Sequence, residues 1–318
     1  MTSDTGTTIF VTGATGNVGQ AVVPVLLDEG LNITTLLRKP SEIKGCHPLF
    51  GCLEDVSSRL APEIARCSAI VHLACSRSLN PSEVLRQDIA GTAGLIQVWR
   101  NGPFLYASSS RVYGNSTGTL TEQTPVSFLN SYDRGKYANE FQLRLAERRD
   151  GRAGALILRP TLIFAVNDRI DDRHLLGAVF AHCKRGGRFV FASEEELATG
   201  GCSFIGGTDF GRVIAKALSQ GLSGTLNIAG GFCTWRELIE TMNRLTGTKG
   251  DLVVRADTKP QAGEFRFRRS VRRLDTTALA SVMDFKPRET LQEIIEALVR
   301  AKRGTKSRWD REGASLVS

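Results

Sequence analysis

Cysteine pairs at redox or metal spacing are missing from this 318-residue chain. Its seven cysteines, at 46, 52, 67, 75, 183, 202 and 233, include no CxxC pair and no Cys/His cluster with zinc-ligand spacing, so no metal is expected. The number is odd, and no apolar leader precedes the first strand-like run. The expectation is a reduced, cytoplasmic protein. No apolar run approaches the roughly 18 residues of a membrane-spanning helix, so no membrane partner is expected. Internal repeats are absent. Charge is less balanced: 41 Lys and Arg against 33 Asp and Glu leave a net charge of +8, much of it in FRFRRSVRR, which ends at Arg273, and in the tail from Lys302 to Arg311. No nucleic-acid-binding motif surrounds these runs, so they read as solvated faces, and the Phe/Arg alternation over 265–268 reads as a strand with one buried face.

What is present is a strand–helix alternation. Apolar runs at 8–12, 33–37, 48–50, 69–73, 104–107 and 153–158 alternate with helical patterns at 17–29, 82–100 and 132–149. Such spacing predicts right-handed βαβ units in a Rossmann-type, doubly wound parallel sheet of an α/β protein. After Arg159-Pro160 the rhythm breaks, which predicts a smaller, discontinuous C-terminal lobe. The expected division is 1–162 plus about 207–231 for the dinucleotide-binding domain and about 163–206 plus 232–303 for a substrate lobe, with 304–318 a flexible tail. A strand at 224–230, a helix at 234–246 with Thr234 as its cap, and a last helix at 290–301 complete the reading.

The first strand runs into TGATGNVG, with Gly13, Gly16 and Gly19 three residues apart and Thr15, Asn17 and Val18 among them. Glycines turn the chain, a helix starts near Asn17, and its unpaired backbone N–H groups face a place suited to a pyrophosphate. In the first βα turn of an alternating chain this pattern points to a dinucleotide. The second strand ends LLRKP, with no acid to take the ribose hydroxyls of NAD. Arg38, with Lys39, suits the 2′-phosphate of NADP, so NADP is expected ahead of NAD.

Tyr132 and Lys136 stand one helical turn apart in SYDRGKYANE. A free tyrosine, with a pKa near 10, exchanges protons poorly at neutral pH, and an adjacent ammonium lowers that value. The pair is an acid/base device for an alcohol/ketone couple. Tyr137 falls on another side of the helix and reads as packing.

With TGATGNVG, VHLAC at 71–75, GT at 91–92, SSSRVYG at 108–114, YDRGK at 132–136, LRP at 158–160 and FKP at 285–287, the chain resembles the extended short-chain dehydrogenase/reductases, the NAD-dependent epimerase/dehydratase group, over about 8–302. The resemblance implies a triad of Ser109, Tyr132 and Lys136. The Ser109 hydroxyl bonds the reacting oxygen, Tyr132 exchanges its proton, and Lys136 tunes Tyr132 and holds the nicotinamide ribose. It also implies that Leu73, Ala74 and Cys75 line the cofactor, that Leu53 lies near the adenine, and that the loop after Pro160, with Leu162, reaches the nicotinamide. Homodimers through two long helices are common in this group.

Departures from the group's pattern narrow the chemistry. Its dehydratases carry an acidic pair directly after the Ser/Thr, where this chain has Ser110 and Arg111. Elimination lacks its acid and base there, so Ser110 and Arg111 are expected to meet substrate instead. An Asn that helps hold sugar nucleotides is replaced by Leu162, and the acid near the adenine by Cys52. The usual Asn ahead of GT is Asp88. Arg272 or Arg273 matches a region where an Arg contacts a substrate diphosphate, and Arg272 is the candidate. His72 reads as structural; His174 and His182 read as solvent or core residues.

The expected function is hydride transfer at a secondary alcohol or ketone carbon by an NAD(P)-dependent epimerase or reductase. The partner is a small molecule, with nucleotide sugars among the candidates. Reduction of a non-nucleotide ketone is the alternative, and a non-catalytic NADP sensor the third reading.

Overall fold

The computed structural model describes residues 7–150, 154–167, 174–256, 259, 261–267 and 271–304. Seven parallel strands form its main sheet: β1 (Thr8–Thr12), β2 (Asn32–Leu37), β3 (Cys46–Phe50), β4 (Ala69–His72), β5 (Phe104–Ala107), β6 (Ala155–Pro160) and β7 (Gly224–Ile228). Their spatial order is β3-β2-β1-β4-β5-β6-β7, so the direction of winding reverses between β1 and β4. In such sheets ligands bind beyond the carboxyl ends of the strands at that reversal. Register puts Thr12 beside His72, and His72 beside Tyr106, so the turns that leave these strands emerge along one edge.

The strands are apolar on both faces because both are covered by helices. On one face Ile9, Val11, Val71 and Leu105 pack with Val22, Val23 and Leu26 of helix α1 (Asn17–Asp28) and with Phe210, Val213 and Ile214. On the other, Phe10, Ile70, Phe104 and Tyr106 pack with Leu95 and Val98 of α2 (Ala90–Val98) and Leu143 of α3 (Ser131–Asp150). The predicted helix over 82–100 begins at Pro81 and widens into a π turn at Val84–Ile89 before continuing as α2. A π turn is uncommon and often marks a functional place; this one carries Asp88.

The chain divides into two compact units. The described parts of Met1–Ala165, Gly201–Phe232 and Arg269–Arg288 make the first, which holds the main sheet. It also holds a smaller parallel sheet in which Gly201–Gly206 pairs with Leu162–Phe164 and Val271–Leu274, and the latter with Gly118–Leu120. The second comprises the described parts of Val166–Gly200, Cys233–Arg268 and Glu289–Ser318. Its sheet places Arg188–Phe191 between Asp251–Val254 and Glu264–Phe265. The Phe/Arg strand expected over 265–268 is thus only two residues long, Glu264–Phe265, although Phe267 is buried and stacks on Trp235 at 4.1 Å. Arg268 and the tail after Gly304 lie outside the described residues. The helix Trp235–Thr246 opens with the expected Thr234 cap, closed reciprocally by Glu237.

Candidate active site

The glycine turn is built for close approach. Gly13 has φ +78, and a Cβ there would come within 2.6 Å of the Ala74 backbone nitrogen, so the turn lies directly against the chain leaving β4. A Cβ on Gly19 would collide with the Gly13 carbonyl and lie 2.7 Å from the Ala14 Cα. Gly16 N–H donates to the Gly13 carbonyl at 2.9 Å and closes the turn. No side chain caps α1 at Gly16, and its first turn carries no acid. The turn and the positive end of α1 therefore face the β1/β4 edge, and the backbone packing that holds them there leaves no room for a Cβ at Gly13 or Gly19; this fits a dinucleotide's pyrophosphate. Leu73 and Ala74 follow β4 directly. Leu53 packs on Gly91, where a Cβ would lie 2.7 Å from its own. Arg38 and Lys39 are exposed at the carboxyl end of β2.

The strand β5 leads into Ser108–Gly114, and α3 brings Tyr132 and Lys136 to it. Lys136 is buried; its Nζ donates to the carbonyl of Ala107 at 2.7 Å and lies 5.8 Å from the centroid of the Tyr132 ring. The Ser109 hydroxyl oxygen accepts from Arg111 N–H at 3.2 Å and starts the turn Ser110–Val112, near enough to Tyr132 to help lower its phenol. The three residues expected to form the triad therefore meet beside the edge onto which the glycine turn opens. Lys136 lowers the Tyr132 phenol as expected, but burial acts against it. Burial pushes the Tyr132 phenol above its ordinary value, and this outweighs the lowering by Lys136, Arg111 and the Ser109 hydroxyl. For Lys136 the balance runs the other way. Burial lowers it, but Tyr106, Cys75, Tyr132 and Asp88 hold it well above the ordinary lysine value, so the ammonium persists.

Residues 9–229 match the NAD dependent epimerase/dehydratase family. The chain belongs to that family. A curated relative is the sterol-4-alpha-carboxylate 3-dehydrogenase, decarboxylating, of Dictyostelium discoideum, 24% identical over 188 residues, or 53% of this chain and 57% of that protein. The chain thus spans little more than half the length of that relative. The UDP-Glc/GlcNAc 4-epimerase from Campylobacter jejuni has a similar fold, with TM-score 0.78 at 23% identity over 94% of this chain and 100% of that one. So does MoeE5 in complex with UDP-glucuronic acid and NAD, with TM-score 0.75 at 22% identity over 93% and 99%.

Within this epimerase/dehydratase frame, the structure gives the remaining candidates different places. Ser110 is buried inside its turn. Arg111 donates from Nε to Asp133 Oδ1 at 2.8 Å, and its guanidinium carbon lies 5.4 Å from the Tyr132 ring centroid. The segment after Pro160 is a strand rather than a loop, because Leu162–Phe164 pairs with Phe204–Gly206; Leu162 itself is exposed. Pro160 closes β6. The side chain of Arg272 lies outside the described residues, and its neighbour Arg273 stacks over Phe232 at 4.0 Å. Among the described residues no group of His, Cys, Asp and Glu could hold a metal, and no helix is long and apolar enough to cross a membrane.

Sequence reasoning read His72 as structural but missed the partners that support the site. Thr12 Oγ1–H donates to His72 Nδ1 at 2.6 Å and accepts from Ala74 N–H at 3.3 Å; on the other side His72 Nε2 meets Thr92 Oγ1 at 3.0 Å, whose hydroxyl donates to the Asp88 carbonyl at 2.7 Å. The donors run one way only if His72 is neutral with its proton on Nε2. Burial, and then Lys136, hold its pKa down to about 3. The Asp88 carboxylate takes Ser76 N–H and Oγ–H, each at 2.7 Å, and pins the chain beyond Cys75. Glu140 accepts from Ser108 Oγ at 2.5 Å and from Arg159 Nη2 at 2.7 Å, tying α3 to the serine segment and to β6. Asp133 also had a legible signal. Asn130 Oδ1 accepts from Asp133 N–H, and Asp133 Oδ2 accepts from Leu129 N–H, both at 3.1 Å. An Asn followed three residues later by an acid marks a helix start.

Proposed function

We propose that the chain is an NAD(P)-dependent enzyme that transfers hydride at a secondary alcohol or ketone carbon, with Ser109, Tyr132 and Lys136 as its reacting-centre residues. The observation that carries this reading is the buried Lys136 ammonium beside Tyr132, with the Ser109 hydroxyl near the same phenol. A nicotinamide held there would supply or take up the hydride. Ser109 orients the alcohol oxygen, Tyr132 takes or gives its proton, and Lys136 makes the phenolate less costly. The cradle of Gly13, Gly16 and Gly19 suits the pyrophosphate, and Leu73, Ala74, Cys75 and Pro160 are its proposed neighbours. Arg38 and Lys39, with no acid on β2's last residues, favour the 2′-phosphate and hence NADP.

Nucleotide sugars are the first substrate class, by analogy with the bound UDP-glucuronic acid of MoeE5 and the 4-epimerase of Campylobacter jejuni. A second reading is a net dehydrogenase or ketoreductase of a non-nucleotide substrate. It is favoured by Leu162, apolar and 37% exposed where the sugar-nucleotide pattern carries Asn, and by the sterol-carboxylate dehydrogenase relative. A thermal-shift comparison of NAD, NADP, UDP-glucose and UDP-glucuronic acid tests both, since a ligand stabilises the fold that binds it. Stabilisation by a cofactor and by a UDP-sugar supports the first; stabilisation by the cofactor alone moves the reading to the second. An epimerase leaves absorbance at 340 nm unchanged overall, whereas a net reductase does not.

We also propose a homodimer through α3 and its neighbour. Phe141 and Leu145, one turn apart on α3, are 60% and 54% exposed, and Leu85 in the π turn that α3 packs against is exposed too.

A further inference from the structure

We propose that Arg111 anchors a carboxylate of the substrate, so that the reacting secondary alcohol or ketone carries that carboxylate within one or two carbons of the reacting carbon. This rests on the hydride-transfer reading above and narrows its substrate class.

The placement comes first. Arg111 follows Ser109 by two residues, and its guanidinium carbon is 5.4 Å from the Tyr132 ring centroid. A substrate oxygen bonded to the Tyr132 phenol and the Ser109 hydroxyl lies about 2.7 Å from each. A group one or two carbons away from that oxygen's carbon falls in the neighbourhood that this long, part-exposed side chain can sweep.

The state of the side chain comes next. Asp133 is fully buried, while the Arg111 side chain remains 45% exposed, so this is not an ion pair with both partners in water. The carboxylate of Asp133 is fixed on both oxygens, by Arg111 Nε at 2.8 Å and by Leu129 N–H at 3.1 Å. It holds Arg111 by one edge. Among the described residues no partner is seen for the terminal nitrogens Nη1 and Nη2, which carry four of the five guanidinium N–H donors. That remaining edge matches two carboxylate oxygens. A purely structural clamp would not need it.

Charge sets the type of anion. The sequence pattern shared with dehydratases would place an acid at 111, which would repel a substrate carboxylate. Arginine inverts that sign. The adjoining Asp133 penalises a dianion more than a monoanion, so a carboxylate suits the position better than a phosphate monoester. Tyr132 already has Lys136 as its cation. With Asp133 holding Nε, the Nη edge of Arg111 is left for the substrate.

The test uses the full chain loaded with NAD or NADP and matched probes: UDP-glucuronic acid against UDP-glucose, and 3-hydroxy acids against their methyl esters and against 3-hydroxyalkyl phosphates. Turnover is followed at 340 nm and by chromatography of products. The expected result is that kcat/KM for at least one acid exceeds that of its neutral partner tenfold or more. In Arg111→Gln this acid-to-neutral ratio falls to near one, chiefly through KM, whatever factor both partners lose together; Arg111→Lys keeps part of it. A ratio near one in the unaltered protein, a ratio untouched by Arg111→Gln, or a preference for the phosphates overturns the proposal. If only neutral alcohols turn over, the carboxylate is wrong and the hydride chemistry stands. If no probe turns over, both fail.

Discussion

Lys136 Nζ donates to the carbonyl of Ala107, the last residue of β5, at 2.7 Å. The bond fixes α3 to the strand that leads into Ser109 and places the ammonium beside Tyr132, while its surroundings outweigh the lowering by burial. Lys136→Met keeps the length and loses the charge. The expected outcome is a fall in kcat of about 100-fold or more, within the range for loss of acid–base support, together with weaker cofactor binding. Single-turnover kinetics and a cofactor titration separate the two effects.

His72 ties stability to pH. It is neutral in the fold with a pKa near 3, whereas an unfolded histidine titrates near about 6.5. Between these values the unfolded chain binds a proton that the folded chain refuses. The contribution is therefore complete above about pH 6.5 and is lost as pH falls toward 3, by at most about 1.4 kcal/mol per pH unit. In urea unfolding at pH 7 and pH 4.5, the native protein should lose more stability than His72→Asn, by roughly 2–3 kcal/mol. Equal losses in the two proteins would contradict a buried neutral imidazole.

The cofactor assignments separate into binding and choice. Gly19→Ala puts a Cβ against the Gly13 carbonyl and should abolish stabilisation by NAD and NADP alike. Arg38→Ala should weaken NADP by about 10- to 100-fold, the value of one charge-assisted contact, and leave NAD within about twofold. Calorimetric titration of both cofactors checks this. NAD binding far more tightly than NADP to the unaltered protein would remove the basis for Arg38.

The apolar stripe on α3 predicts self-association. Phe141→Lys introduces a charge where an exposed ring stands. Sedimentation should change from dimer to monomer, or toward it with a dissociation constant raised at least tenfold, without loss of helical circular dichroism. An unaltered protein that sediments as a monomer at tens of micromolar would refute the dimer.

The parts of the fold that sequence reasoning reached are those decided locally. Strands such as Phe10-Val11 and Leu105-Tyr106 are apolar on both faces and bounded by turns, and Thr234 announces its helix by its hydroxyl and by Glu237 three residues on. That Ser109, Tyr132 and Lys136 lie near one another was legible from their spacings, and their proposed roles rest on the resemblance. What was not legible depends on distant partners. Leu162–Phe164 became a strand only because Phe204–Gly206 lies beside it, some forty residues away. The Arg111–Asp133 pair joins two turns that no local pattern links. The raised phenol of Tyr132 follows from burial, which spacing does not report; the lowering by the i, i+4 lysine was legible.

Tyr132→Phe tests the central claim most directly. It removes one oxygen from the site and leaves the ring that Arg111 and Lys136 approach. With the cofactor and any substrate the unaltered protein turns over, kcat/KM should fall by about 100- to 10,000-fold, the usual value of a positioned proton donor, while the cofactor dissociation constant stays within about threefold. Turnover by Tyr132→Phe at the rate of the unaltered protein would contradict the account.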